Sequence, residues 1–317
     1  MTHKVNRRKF VGISAAMSVA AAHSSFQIIA AQDADGNEIP RGQDFVTPAA
    51  IEQKDVYTFL ILGMDTRPDD QELNTDVMMV SRVNLVENTV RTMSFPRDLY
   101  VEIPGIGFDK INAAFKSVAM NGHEQWMQGM SATRATFEHN FGLAIDGALS
   151  VRFEGVEEIV DLFGGVTIVN PYDLQDDNYP TLDYGTTQIF FPAGEITVTG
   201  EEALQLMRTR HQDGDDGRVM RQQLVLSALL QQAQNPENVD KIPELLEIGR
   251  EHVTTNIPVD VQIQLAAAAP GIPAENVAWG TITHLLWGDV VASGMWVYQG
   301  DWAQLPAYVQ AFLNGEI

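Results

Sequence analysis

The chain has no cysteine among its 317 residues, which excludes disulfides, thiolate metal sites, a cysteine nucleophile and a lipidated N-terminal cysteine. Stability has to come from packing, and 45% hydrophobic residues are enough to bury a sizeable core. Basic residues are scarce: 20 Lys plus Arg stand against 42 Asp plus Glu, a formal net charge of −22. Long-range repulsion of that size argues against a nucleic-acid backbone or an anionic bilayer as a general partner, but it leaves room for a local basic pocket that binds a local anion. The Gly-x-Ser-x-Gly, Walker A and His-Glu-x-x-His patterns are all missing, which removes the common hydrolase, nucleotide-binding and zinc-protease routes. There is no internal repeat, and beyond the N-terminal end no apolar run approaches the roughly 20 residues a spanning helix needs.

What is present begins with "MTHKVNRRKFVGISAAMSVAAAHSSFQIIAAQ". A charged opening (Lys4, Arg7, Arg8, Lys9), a mildly apolar stretch from Phe10 to Ala22 and small residues beyond it follow the three-part plan of an export signal. Arg7-Arg8-Lys9-Phe10 resembles a twin-arginine signal, which implies export of an already folded chain. His23, Ser24 and Ser25 interrupt the apolar stretch, so cleavage and retention as a membrane anchor both stay open. Residues 1–32 are read as this signal, the polar residues 33–54 as a linker, and 55–317 as one domain outside the cytoplasm.

Within that domain "VYTFLILG" reads as a buried strand ended by glycine, and "DVMMVSRVNLVENTVRTMSFPRD" as two strands, 77–84 and 89–95, turning at Glu87 and Asn88. "IPGIGFDK" reads as a loop. Helical spacing follows over 111–118 and 126–141, then a strand at 148–153, a helix at 154–163 stopped by Gly164-Gly165, and a strand at 166–169. Residues 171–191 are read as an exposed excursion with a hairpin. Thr199 and Glu202 form a capping-box pattern opening a helix over 200–209, and a Gln-rich helix is expected from Arg218 to Gln234, with "HQDGDDG" as the loop between. Strand-like "NVAWGTI" and "VVASGMWV" precede a last helix over 302–313. The alternation predicts an α/β layered domain.

Charged residues gather where strands end, the place where open α/β sheets bind ligands. Asp65 follows the first strand, Asp76 precedes the second, and Arg97-Asp98 closes the third. Against an acidic background, Arg208, Arg210, Arg218 and Arg221 fall within fourteen residues. Carboxylate oxygens suit a hard divalent cation such as magnesium, and guanidinium groups bind phosphate oxygens bidentately. Together they describe a pyrophosphate site. The plainer reading is a structural charge network, with Asp213, Asp215 and Asp216 neutralising the arginines. Trp126, Phe137, Phe141, Leu162 and Phe163 read as core, and His139 and His211 are isolated, with no metal-ligand spacing.

In order along the chain, "FLILGMDTR", "NTDVMMVSRVN", "SFPRDLYVEIPGIGFDKINAAF", "VRFEGVEEIVDLFGGV" and "GEEALQLMRTRHQDGDDGRVMRQQ" resemble the successive motifs of the LytR-CpsA-Psr family. The resemblance implies an α/β fold with a mixed central sheet flanked by helices, and an extracytoplasmic transferase that moves a glycopolymer from a polyprenyl-pyrophosphate carrier onto peptidoglycan or a related envelope acceptor, with a membrane-borne lipid donor held in an apolar tunnel. It implies Asp65 and Asp76 as carboxylates for magnesium (manganese as a substitute). It implies Arg97, Arg208, Arg210, Arg218, Arg221 and Gln222 as pyrophosphate contacts. Asp98 and Asp215 stand as alternative bases beside Arg97 in the catalytic set. Where many members have Arg-Ser-Asp-Thr, this chain has Asn74-Thr75-Asp76-Val77, one positive charge and one hydroxyl fewer. Two other classes remain open from sequence: a polyprenyl-pyrophosphate hydrolase at the same site, and a non-catalytic module that binds polyprenyl lipid or wall polymer.

Overall fold

The structure, a computed structural model, describes residues 54–65, 74–118, 123–181 and 185–317; the expected signal and nearly all of the expected linker lie outside these residues. In chain order the elements are β1 (Val56–Asp65), β2 (Asn74–Asn84), β3 (Thr89–Phe95), β4 (Tyr100–Ile103), β5 (Gly107–Lys110), α1 (Ala113–Lys116), α2 (His123–Phe141), β6 (Gly147–Arg152), α3 (Phe153–Leu162), β7 (Val166–Asn170), β8 (Leu174–Pro180) and β9 (Thr186–Phe191). They continue with β10 (Gly194–Val198), α4 (Gly200–Arg208), α5 (Gly214–Gln234), α6 (Ile242–His252), β11 (Val253–Thr255), α7 (Val259–Ala268), β12 (Val277–Thr281), β13 (Leu286–Val290), β14 (Trp296–Gly300) and α8 (Leu305–Asn314). Asp55–Asn256 and Ile272–Ile317 make up the main unit, while the segment Ile257–Gly271, which carries α7, groups apart from it.

Six strands form the central sheet in the order β11-β6-β1-β2-β3-β12. The sheet is mixed: β1 runs parallel to β6 and antiparallel to β2, and β12 runs parallel to β3. Alternation along the strands sends side chains to two faces. Leu60, Leu62, Met64, Met78, Val80, Met93 and Phe95 point to one, where they pack with Phe137 and Phe141 of α2 and with Val309 and Leu313 of α8. Phe95 meets both Phe137 and Phe141 with ring centroids 4.9 Å apart, so the aromatic stripe of α2 is core. On the opposite face Val77, Met79 and Phe153 pack with the half-buried Ile61, Leu204, Leu226 and Trp279. A second cluster joins α3, α4, α5, β7 and the β8–β9 hairpin. The architecture is three layers, helix, sheet and helix.

The expected capping box is present: the amide of Glu202 donates to Thr199 Oγ1 over 3.4 Å, and the amide of Thr199 donates to Glu202 Oε2 over 2.9 Å. Three expectations are corrected. "IPGIGFDK" is the turn and second strand of the β4–β5 hairpin, not a loop. The second arginine-bearing helix starts at Gly214, four residues before Arg218, because the acidic "GDDG" stretch forms its first turn. "VVASGMWV" is a turn between two strands, β13 and β14, not one strand.

Candidate functional site

One irregularity of the sheet sets the geometry of the site. Pairing of β1 with β2 runs Gly63 opposite Val77 and then Met64 opposite Thr75, so Asp76 is the extra residue of a bulge. A bulge leaves its extra residue out of the ladder and re-aims its side chain. Thr75 and Val77 are buried on either side, whereas the Asp76 carboxylate turns to an ion pair with Arg97 Nη1. Arg97 Nε lies 3.6 Å from Asp98 Oδ2, and Lys110 Nζ lies 2.6 Å from Asp98 Oδ1. Lys110 arrives there through the β4–β5 hairpin: it pairs with Tyr100, and the next residue, Ile111, donates its amide to Leu99 O over 2.8 Å. The backbone of Asp65 closes β1 opposite Asn74; its side chain falls outside the described part of the structure.

The arginine-rich segment divides into two groups. Arg221 is 1% exposed; it donates from Nε to Leu206 O over 2.8 Å and ion-pairs with Asp213. Gln222 donates from Nε2 to Met207 O over 3.1 Å. Both therefore satisfy carbonyls in the last turn of α4 that lack intrahelical partners, and they bind α5 to α4. Gly217 makes this possible, because a Cβ at that position would land on the Asp213 carboxylate. Arg218, also buried, pairs with Asp215 at 3.1 Å. Arg210 is exposed and makes no ion pair among the described residues, and Arg208 is half-buried at the end of α4.

Residues 209–213 are held by the excursion that the sequence left without a role. Asp176 of β8 is buried and accepts from Thr209 Oγ1 at 2.5 Å, from the Asn178 amide at 2.9 Å and from His211 Nδ1 at 2.8 Å. Burial pushes the Asp176 carboxyl up, but these hydrogen bonds outweigh it and hold the group below the usual carboxylate range. The Gln175 amide donates to Gln212 Oε1 over 2.8 Å, and Tyr172 donates its hydroxyl to Asp213 over 2.6 Å. His211 is thus part of a clamp and not isolated.

The ends of the strands, the start of α5 and β14 border an open cleft of about 320 Å³ lined by Arg97, Asp98, Lys110, Arg210, Gly214, Asp215, Trp296 and Tyr298. Burial holds the Arg218 guanidinium below its ordinary pKa, and Arg97 and Arg210 push the same way against Asp215 and Asp76. For Arg97 burial also pulls downward, but Asp76, Asp98 and Asp215 together raise it. Tyr298 is pushed up by burial and then by Asp215, Asp216 and Asp98, which keeps its phenol protonated as a donor. The Nε groups of Arg97 and Arg218 are buried with no hydrogen-bond partner among the described residues. Arg97 and Arg210 thus put two guanidinium groups in the cleft wall, with Arg218 coupled to both, an arrangement that suits a partner with several acceptor oxygens.

Of the residues singled out by sequence, the structure brings Arg97, Asp98, Arg210 and Asp215 into the cleft wall and couples Asp76 and Arg218 to it through ion pairs. It turns Arg221 and Gln222 toward α4. Lys110, Trp296 and Tyr298 were not legible: Lys110 sat in a supposed loop, and the β13–β14 hairpin has no periodicity that points to a ligand. Asp176, Asp213 and Tyr172 support the loop from behind it.

No group of three or more His, Cys, Asp or Glu gathers as a metal cage among the described residues. Magnesium, where it binds, keeps waters and takes few carboxylates plus substrate phosphates. Asp76 offers hard oxygen at the bulge, and the preceding residue, Thr75, has its Oγ1 fully buried without a hydrogen-bond partner among the described residues. The donor set fits such an ion.

A mixed sheet sandwiched between helices, with a charged cleft beside its strand ends, defines an α/β/α protein. The LytR_cpsA_psr family pattern matches residues 17–311, and the chain belongs to that family. It is 33% identical over 210 residues to the polyisoprenyl-teichoic acid–peptidoglycan teichoic acid transferase TagU of Oceanobacillus iheyensis, covering 66% of this chain and 61% of that protein. It is 29% identical to TagU of Bacillus subtilis, over 80% of this chain and 75% of the relative. The chain therefore spans somewhat more than three fifths of the first of these and three quarters of the second. The crystal structure of B. subtilis TagV superposes with a TM-score of 0.64 at 24% identity, over 83% of this chain and 99% of that one, a likeness of fold.

Proposed function

We propose that the protein is a phosphotransferase of the cell envelope that moves a glycopolymer from a polyprenyl-pyrophosphate carrier to a hydroxyl of peptidoglycan. The observation that carries this is the cleft itself, with the guanidinium of Arg97 and the exposed Arg210, which makes no ion pair among the described residues, in its wall and Arg218 coupled to both. The names of the TagU relatives describe a transfer of teichoic acid from a polyisoprenyl-linked form to peptidoglycan in those proteins. Among the described residues no helix is long and apolar enough to cross a membrane, and a twin-arginine-like signal with extracytoplasmic action is part of this reading.

Arg97, Arg210 and Arg218 bind the pyrophosphate oxygens and draw off charge as it builds on the leaving phosphate. The polyprenyl tail lies against Ile61, Leu204, Leu226 and Trp279, half-buried apolar side chains between the sheet and the helices that carry the arginines. An acceptor hydroxyl attacks the phosphorus that bears the glycan, and Asp98 or Asp215 takes its proton. The bond from that phosphorus to the bridging oxygen breaks, polyprenyl phosphate leaves, and a phosphodiester remains. Magnesium held by Asp76 and Asp65 would add positive charge at the pyrophosphate when bound. Turnover of a lipid-linked donor by the wild type, with and without a peptidoglycan acceptor, tests the reading. Arg97→Ala that keeps full acceptor-dependent turnover contradicts it.

A further inference from the structure

The cleft has one wall that neither phosphate nor metal chemistry explains. Trp296 and Tyr298, both on β14, stand in it beside Asp98, Lys110 and Arg210. β14 is fixed there by backbone: the Tyr298 amide donates to Asp98 O over 2.9 Å, and Leu99 bridges to Tyr298. Trp296 is nevertheless 45% exposed, a large apolar surface left open in a cleft that holds five charged side chains.

Its orientation is constrained. The indole lies over Gly288 on the neighbouring strand, where a Cβ would meet the ring at 3.0 Å, and its centroid is 4.8 Å from that of Tyr298 at an interplanar angle of 71°. Glycine under one side and tyrosine against it hold the ring without covering it. Aromatic faces seat rings that present aliphatic C–H bonds on one side and hydroxyls around the rim, which is the chemistry of a pyranose. Asp98, Lys110 and Arg210 supply the acceptor and donors that such hydroxyls use.

Resting on the proposed function, we propose that Trp296, steadied by Tyr298 and Gly288, is the platform for the donor's first sugar, the pyranose joined directly to the pyrophosphate. The phosphate end is held by the arginines and the sugar ring is stacked on the indole. The site therefore selects glycosylated carriers over bare polyprenyl pyrophosphate.

The test is calorimetric titration of the full chain in magnesium buffer with two soluble probes, geranyl pyrophosphate and geranyl-pyrophosphate-linked N-acetylglucosamine. Wild type should bind the sugar-bearing probe about tenfold more tightly. Trp296→Ala should remove that preference while leaving affinity for geranyl pyrophosphate unchanged, and Trp296→Phe should restore much of it. Equal weakening of both probes in Trp296→Ala, with a lowered Tm, makes the indole structural and overturns the proposal. So does a wild type that binds both probes equally. A wild type that binds neither fails the anion site as well, and so separates an error in the function from an error in the platform.

Discussion

Asp76, the bulged residue of β2, is ion-paired with Arg97, which follows the end of β3. The pair joins two strand ends across the sheet and aims Arg97 at the cleft. Asp76→Asn keeps the volume and removes the charge. It is expected to lower turnover by about 10²-fold or more through a misplaced Arg97 and a weakened metal site. Thermal stability should shift little, since neither side chain is deeply buried. Steady-state kinetics beside a melting curve check both halves; a variant with normal kinetics removes the bulge from the account.

Arg221 and Arg210 lie in the same motif and should behave in opposite ways. Arg221 is buried against Asp213 and the α4 carbonyls, so Arg221→Met leaves the half-buried Asp213 carboxylate with the Tyr172 hydroxyl but no cation, strips the Leu206 carbonyl of its donor, and is expected to cost about 3 kcal/mol. Exposed Arg210 should tolerate Ala within about 0.5 kcal/mol and lose at least roughly 10²-fold in turnover. Urea denaturation and an activity assay on the two variants separate scaffold from site.

Gly217 has Asp213 directly over it, whereas Gly249, in α6, has open space around its Cβ direction. Gly217→Ala is expected to destabilise by about 1–3 kcal/mol, and Gly249→Ala to stabilise by up to about 1 kcal/mol through helix propensity. Chemical denaturation of the two single variants decides it; equal effects would mean that the Asp213 contact is not maintained in solution.

Asp176 supplies a pH dependence whose sign is fixed. Its folded-state pKa lies below the unfolded value of about 3.9, so its contribution is fully present above that pH and is lost as pH falls through the folded value. Asp176→Asn should lower stability near neutrality and flatten the loss of stability in acid, with little change between pH 6 and 8. Denaturation midpoints from pH 2 to 8 measure this, and an unchanged acid limb contradicts the clamp.

The layered fold was legible because its strands carry continuous apolar runs and its helices a clear period, and because Thr199 and Glu202 announce α4. The β4–β5 and β13–β14 hairpins were not legible, since their short strands do not alternate cleanly. The start of α5 was missed because Gly214, Asp215, Asp216 and Gly217 have weak helix propensity and only tertiary contacts hold them helical. The arginines and aspartates stood out by charge, but their division into cleft residues and scaffold residues depends on burial, which composition does not carry. Asp176, Lys110 and Trp296 reach the site through pairing distant in sequence, so no local pattern marks them.

The most direct measurement is calorimetric titration of geranyl pyrophosphate into wild type and Arg210→Ala, in magnesium buffer and again after chelation. Saturable binding by wild type, weakened at least about tenfold by Arg210→Ala and reduced by chelation, is the predicted result. Equal affinity in both proteins, or no binding by wild type, would contradict the assignment of the arginine cleft as a pyrophosphate site.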